Sequence, residues 1–232
     1  MDLRISTIVG ISKFSEKINL QELYKQICIN ETTLFAELGE SYKGDIDKKN
    51  LKKREKKTKK YFYNQVTLHL FINFNKLSKK VNVKLFNNGS IQMTGLKSIE
   101  LGKHTLSVLI DIVKQMDERV YDKQTSLSLG EYSIALFNTD FDIGFKVNRD
   151  RLNSYLLDLG IYTSFEPCIY PGVNIKYYYK STNKNGKCEC CPTCNGDGKR
   201  NNCKKITIAV FNSGKIIITG GRSYKQCKEA YE

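Results

Sequence analysis

Histidine is nearly missing from this chain: His69 and His104 are the only two among 232 residues. That scarcity leaves a histidine-based hydrolase poorly supported, although two such residues would formally suffice. Paired carboxylates, a nucleophile with its base, and a nucleotide-binding loop are also missing at usable spacing, so an enzyme acting on nucleic acid is a weak reading. There is no long apolar run and no amphipathic basic anchor, which sets a membrane behind nucleic acid as the partner of so basic a chain. No secretory pattern opens the sequence, because Met1 to Thr7 carries Asp2 and Arg4 and passes into strand-like residues; an intracellular protein is expected. Acidic residues are in deficit as well. Against 38 Lys and Arg there are 24 Asp and Glu, a net charge of +14, more than solubility requires, and an anionic partner follows.

What the chain does have is a stretch present twice. Residues 83–98 read VKLFNNGSIQMTGLKS and residues 208–223 read IAVFNSGKIIITGGRS. Phe86 pairs with Phe211, Gly89 with Gly214, Thr94 with Thr219, Gly95 with Gly220 and Ser98 with Ser223, all at an offset of 125 residues. Each copy reads as strand, tight turn, strand and helix start, since Asn and Gly tolerate the positive φ of a short hairpin loop. The repeat extends upstream. A strand over 3–14 precedes Asn19 and a helical spacing of Leu20, Leu23, Tyr24 and Ile27. An extended segment from Ser133 to Val147 likewise precedes Asn148 and Leu152, Tyr155, Leu156 and Leu159. Ser98 caps the longest helix, with Leu101, Leu106, Leu109, Ile110, Val113 and Met116 along it. Its counterpart has only nine residues after Ser223. Either this copy is clipped or the sequence is not the whole functional protein.

Two excursions interrupt the copies. Residues 38–60 end in a run of lysines and arginines from Leu51, which reads as a solvated surface loop or as a nucleic-acid contact. The second holds five of the eight cysteines, Cys188, Cys190, Cys191, Cys194 and Cys203. Such crowding fits a local metal site in a reducing compartment better than a spread disulfide framework. Cys191 and Cys194 form a two-residue knuckle that Cys188 or Cys190, with Cys203, would complete to a four-thiolate zinc site. A reduced or partly disulfide-bonded loop is the other reading.

The hairpins resemble the TATA-box-binding protein family, whose later hairpin reads approximately Leu-Ile-Phe-x-Ser-Gly-Lys-x-Val-x-Thr-Gly-Ala-Lys. The second copy is close to this pattern and the first is looser. Residues 165–177, FEPCIYPGVNIKY, are similar to the family's Tyr-Glu-Pro-x-x-Phe-Pro-Gly-x-x-Tyr stretch. The resemblance implies an α+β fold, a pseudo-twofold saddle of curved antiparallel sheet with helices on the convex side. The first repeat would span 1–124 with the basic insertion at 38–60, and the second 125–232 with the cysteine-rich insertion at 181–205.

The resemblance also implies a set of site residues. Phe86 and Phe211, with Tyr63 and Tyr170 by alignment, stand where family phenylalanines enter base steps; ordinary core packing is the alternative. The minor-groove floor maps to Thr7, Val9, Gln92 and Thr94 in the first half and to Leu136, Asn138, Ile217 and Thr219 in the second. Gln92 stands where valine is usual and brings a donor and an acceptor that either weaken exclusion of G·C pairs or change the preferred base at that step. The family's two central asparagines are not at their expected places, so either a shifted alignment makes Asn138 the reader or the centre of the recognised site differs from a standard TATA element. Lys97, Lys215 and Arg222 on the hairpins are candidate phosphate contacts, or plain solvated charges.

Implied partners are double-stranded A/T-rich DNA and transcription factors or RNA polymerase machinery, with self-association in the absence of DNA. No membrane and no catalytic cofactor is implied. The implied function is a nonenzymatic transcription initiation factor that binds and bends promoter DNA in the nucleus or a viral transcription compartment. The rival is a protein-interaction or regulatory module that keeps the fold with weakened or altered DNA specificity.

Overall fold

A computed structural model describes residues 2–45, 61–122, 124, 126–182, 185–190, 194–199 and 202–232. In chain order the elements are β1 (Arg4–Lys13), α1 (Leu20–Gln26), β2 (Thr33–Leu38), β3 (Ser41–Gly44), β4 (Gln65–Phe74), β5 (Leu77–Phe86), β6 (Ser90–Leu96), α2 (Ile99–Lys114), β7 (Ser133–Asp142), α3 (Arg149–Asp158), β8 (Thr163–Ser164), β9 (Val173–Tyr179), β10 (Lys204–Val210), β11 (Lys215–Gly221) and α4 (Tyr224–Tyr231). They fall into two compact units. The first is Val9–Ser133; the second joins Met1–Ile8 to Ile134–Glu232.

In the first unit the strand order is β3-β2-β4-β5-β6-β1, antiparallel from β3 through β6. Alternate residues point to opposite faces of a strand, and here one face is predominantly apolar. Val66, Leu68, Leu70, Val81, Val83, Leu85 and Met93 are fully buried, and α2 packs on β4 and β6. Leu101, Leu106, Leu109 and Val113 supply the buried side of α2 at helical spacing. Each such side chain stabilises the unit by about 1.5–3 kcal/mol relative to exposure.

The second unit has the order β1-β7-β11-β10-β9-β8. Its helix-covered face is thinner: α4 buries only Cys227, and α3 buries no side chain fully. The helical period expected after Asn148 does form α3, but Tyr155 and Leu159 along it are exposed.

The caps repeat with the units. Asn19 and Asn148 accept from the backbone N–H groups of Glu22 and Arg151, and Ser98 and Ser223 accept from Leu101 and Gln226. Each satisfies an orphan donor of its helix's first turn. The duplicated turn also has the same seat in both copies. Phe14 and Ile18 donate to the carbonyls of Gly89 and Asn87, and Ile143 and Val147 donate to those of Gly214 and Asn212. The hairpin turn thus docks on the link between the first strand and first helix, which is why both segments recur together.

The 38–60 excursion is not wholly a loop. Its start completes β2 and forms β3, paired from Phe35 opposite Gly44 to Leu38 opposite Ser41. Residues 46–60, including the basic run, lie outside the described residues.

Candidate nucleic-acid interface and metal centre

In each unit the sheet face opposite the helices carries mostly half-buried residues, with Phe35 and Ala209 buried among them. In the second unit, buried Thr139 and Ile218 mark the helix side, where the Cys227 thiol reaches Thr139. Asn138, Ile217 and Thr219 therefore share the other face. Register places Thr219 opposite Asn138 and Thr207, and Ile217 opposite Ala209. The Thr219 hydroxyl donates to Asn138 Oδ1, which leaves the amide protons of Asn138 to donate elsewhere. Lys176, opposite Thr207, donates to its hydroxyl at 3.0 Å. Burial, then the charge of Lys205, lowers the Lys176 pKa. Leu136 lies two residues before Asn138 on β7, and Thr7 is half-buried on β1.

At the end of this face the rings of Tyr170 and Phe211 meet at a centroid distance of 5.8 Å and an angle of 61°. Gly172 makes the meeting possible, since a Cβ there would lie 3.0 Å from Tyr170 and 3.3 Å from Phe211. Arg149 holds the loop that presents Tyr170. Its guanidinium donates to the Pro171 carbonyl and lies 5.0 Å from the centroid of the Phe165 ring. Nothing in the spacing of the sequence pointed to Arg149.

The first unit has the same rows with different chemistry. Thr94 pairs with Asn82, and Asn82 with His69; Gln92 pairs with Lys84, and Lys84 with Thr67. Where the second unit sets Ala209 beside Ile217, the first sets Lys84 beside Gln92. Phe86 ends β5 opposite Gln65 and is half-buried. Tyr63 does not repeat the posture of Tyr170. Its ring covers Gly39 and its hydroxyl lies 3.5 Å from Glu40 Oε1, so the β2–β3 turn holds it, and it remains 63% exposed. Val9 is buried on β1.

Of the candidate phosphate contacts, Lys97 and Lys215 are exposed at the ends of the duplicated hairpins. Arg222 instead lines, with Lys180 and Lys204, a cavity of about 560 Å³ beside the cysteine-rich segment. One acidic group that the sequence reading missed shares the face of Asn138: Asp140, opposite Ile217, is ion-paired to Arg4 at 2.6 Å.

The cysteines gather at the far end of the β9–β10 pair. The sulfurs of Cys188, Cys190, Cys194 and Cys203 all lie within 4.8 Å of one another. A tetrahedral four-thiolate zinc site, with Zn–S bonds of about 2.3 Å, separates its sulfurs by about 3.8 Å, so the donor set fits a structural metal. Contacts of 3.3 Å (Cys194–Cys203) and 3.4 Å (Cys188–Cys203) are far longer than a disulfide bond of about 2.05 Å. A hydrogen bond from Cys203, then one from the Gly196 N–H, holds Cys194 down at about 7, while burial pushes the Cys203 thiol up. Cys188 and Cys190 both join the group, and Cys191 lies outside the described residues. Backbone bonds from Gly198 to Cys203 and from Lys205 to Gly196 tie the segment to the start of β10.

Caps, turn seats and face rows together define a duplicated antiparallel α+β protein. Residues 138–232 match the family described as transcription factor TFIID, or TATA-binding protein (TBP). The chain is 28% identical to a TATA-box-binding protein-like protein of Acanthamoeba polyphaga mimivirus, over 99% of this chain and 63% of that protein. It is 23% identical to a TATA-box-binding protein of Archaeoglobus fulgidus, over 66% of each. It thus spans about two thirds of the length of these relatives. Among solved structures, the Methanococcus jannaschii TBP superposes with a TM-score of 0.54 at 21% identity, covering all of this chain and 94% of that one. The expected fold class, antiparallel sheet with helices, is the fold found. The chain is thus a divergent, low-identity homologue of TATA-box-binding proteins, with the family match lying on residues 138–232.

Proposed function

We propose that this chain is a nonenzymatic DNA-binding protein that occupies and bends the minor groove of A/T-rich promoter DNA and nucleates the transcription machinery there. The observation that carries the reading is the second unit's face opposite the helices. It sets the ring pair Tyr170 and Phe211 at one end of an apolar floor, Ala209 and Ile217, followed by the hydroxyl and amide of Thr219 and Asn138. Aromatic wedges unstack a base step and kink the duplex, and a floor of aliphatics and hydroxyls suits a groove that presents only acceptors at A·T pairs. Thr7 and Leu136 belong to that floor, Val9, Gln92 and Thr94 to its equivalent in the first unit, and Phe86 and Tyr63 to the wedge positions there. Lys97, Lys215 and Arg222 supply phosphate contacts, and the partners beyond DNA are transcription factors or the polymerase. The place of action is the nucleus or a viral transcription compartment.

A second reading, a regulatory module on the same fold with altered DNA specificity, is favoured by one observation: the first unit's polar row of Lys84 and Gln92. Titration of a fluorescent A/T-rich duplex across salt separates the two. The first reading expects tighter binding than to a scrambled G·C-rich duplex and a steep loss with salt; equal binding to both duplexes contradicts it.

The cysteine group we read as a structural zinc site held by Cys188, Cys190, Cys194 and Cys203, where the metal would cross-link the β9–β10 excursion. Metal analysis after exhaustive dialysis should return about one equivalent of zinc, as four-thiolate sites hold it tightly. Less than about half an equivalent counts against the site.

A further inference from the structure

The two units place the same two rows of side chains on the face opposite their helices, and one row differs in kind. In the second unit Ala209 stands opposite Ile217; in the first Lys84 stands opposite Gln92, and both are half-buried. The neighbouring row diverges too. The Thr207 hydroxyl accepts a hydrogen bond from Lys176, whereas at the corresponding place Asn82 Oδ1 is buried without a hydrogen-bond partner. The first unit's face therefore offers an acceptor at Gln92 Oε1 together with the Lys84 ammonium group, beside a buried amide oxygen that has no partner. The second unit's corresponding pair, Ala209 and Ile217, offers neither.

A·T and T·A pairs show the minor groove only acceptors, and a G·C pair adds the guanine 2-amino donor. Against Ala209 and Ile217 that donor would be desolvated with no acceptor from either side chain, and the Asp140 carboxylate opposite Ile217 is held by Arg4. Against Gln92 it meets an amide oxygen, while the Lys84 ammonium, with three donors and no acceptor, suits the N3 and O2 atoms that every pair presents. We propose that the first unit reads its half of a duplex through Lys84 and Gln92 and accepts G·C pairs there, while Ala209 and Ile217 hold the other half to A·T. The preferred ligand is thus an asymmetric duplex, A/T-only in one half and mixed in the other. This rests on the reading that these faces meet the minor groove.

The test walks a single G·C pair through an A/T duplex and measures binding at each position with wild type, K84A/Q92I, each single variant, and the reciprocal A209K/I217Q. Wild type should lose about 10-fold at positions in one half, the usual scale for a mismatched pair, and about 2-fold or less in the other. K84A/Q92I should lose about 10-fold in both halves, and A209K/I217Q should relax the half that was strict. An unchanged circular dichroism spectrum and urea unfolding midpoint show that each variant folds. Equal G·C penalties in both halves for wild type, unchanged in K84A/Q92I, overturn the proposal while leaving groove binding intact. Failure of wild type to bind any duplex overturns both.

Discussion

Phe211 and Tyr170 meet at an angle of 61° with Gly172 between them, so the removal of either ring takes away one side of a built pair. If the pair enters a base step, Phe211→Ala loses a stacking contact of about 1–3 kcal/mol, which a titration with A/T duplex reads as roughly 5- to 150-fold weaker binding. Tyr63→Ala should cost less, because that ring already lies over Gly39 and Glu40; equal losses for the two would count against the different postures. Some of these residues were legible from the sequence. Phe86 and Phe211 stand beside identical turns, and Thr94 and Thr219 follow them at fixed distance. Lys84 was not, because its meaning depends on Gln92 across the hairpin and on the contrast with Ala209 and Ile217, which only the strand register supplies. Arg149 was hidden for a similar reason: it acts on Pro171, 22 residues further on.

Among the elements, the duplicated turn has the sharpest requirement. Gly89 and Gly214 have φ of 81° and 89°, and a Cβ would come 2.4 Å from the Glu16 carbonyl oxygen and 2.2 Å from that of Phe145. Those carbonyls belong to the links on which the turns dock, so no flexible side chain can move aside. Gly214→Ala should destabilise the second unit by about 2–4 kcal/mol, combining backbone strain with the clash. Gly144→Ala, at a φ of 80° in open space, should cost only about 1 kcal/mol. Urea unfolding of the two variants checks the difference, and similar midpoints would mean that the docking is unimportant. The Asn-Gly turns and the long α2 could be read in advance because local chemistry sets them. β2 and β3 could not, because the hidden side of β2 does not alternate cleanly: Phe35 lies on the face away from the helices yet is buried, covered by Tyr42 and by His69 at 4.8 Å. The cysteine cluster was legible as a composition, whereas its irregular spacing left open which thiols gather.

For the whole molecule, the net charge of +14 sets the scale of its attraction to a polyanion. A protein neutralising roughly six phosphates loses about 10³-fold in affinity between about 50 and 200 mM salt, whereas reading of the groove floor depends on salt far less. Bending must be supported by the contacts it brings, since a smooth bend of a short site costs about 1–6 kcal/mol. The central claim is therefore best tested by energy transfer between dyes at the two ends of an A/T-rich duplex, with wild type and Phe211→Ala side by side. Wild type should shorten the end-to-end distance on binding, and the variant should change it less at saturation. An unchanged distance at full occupancy by wild type would contradict that claim.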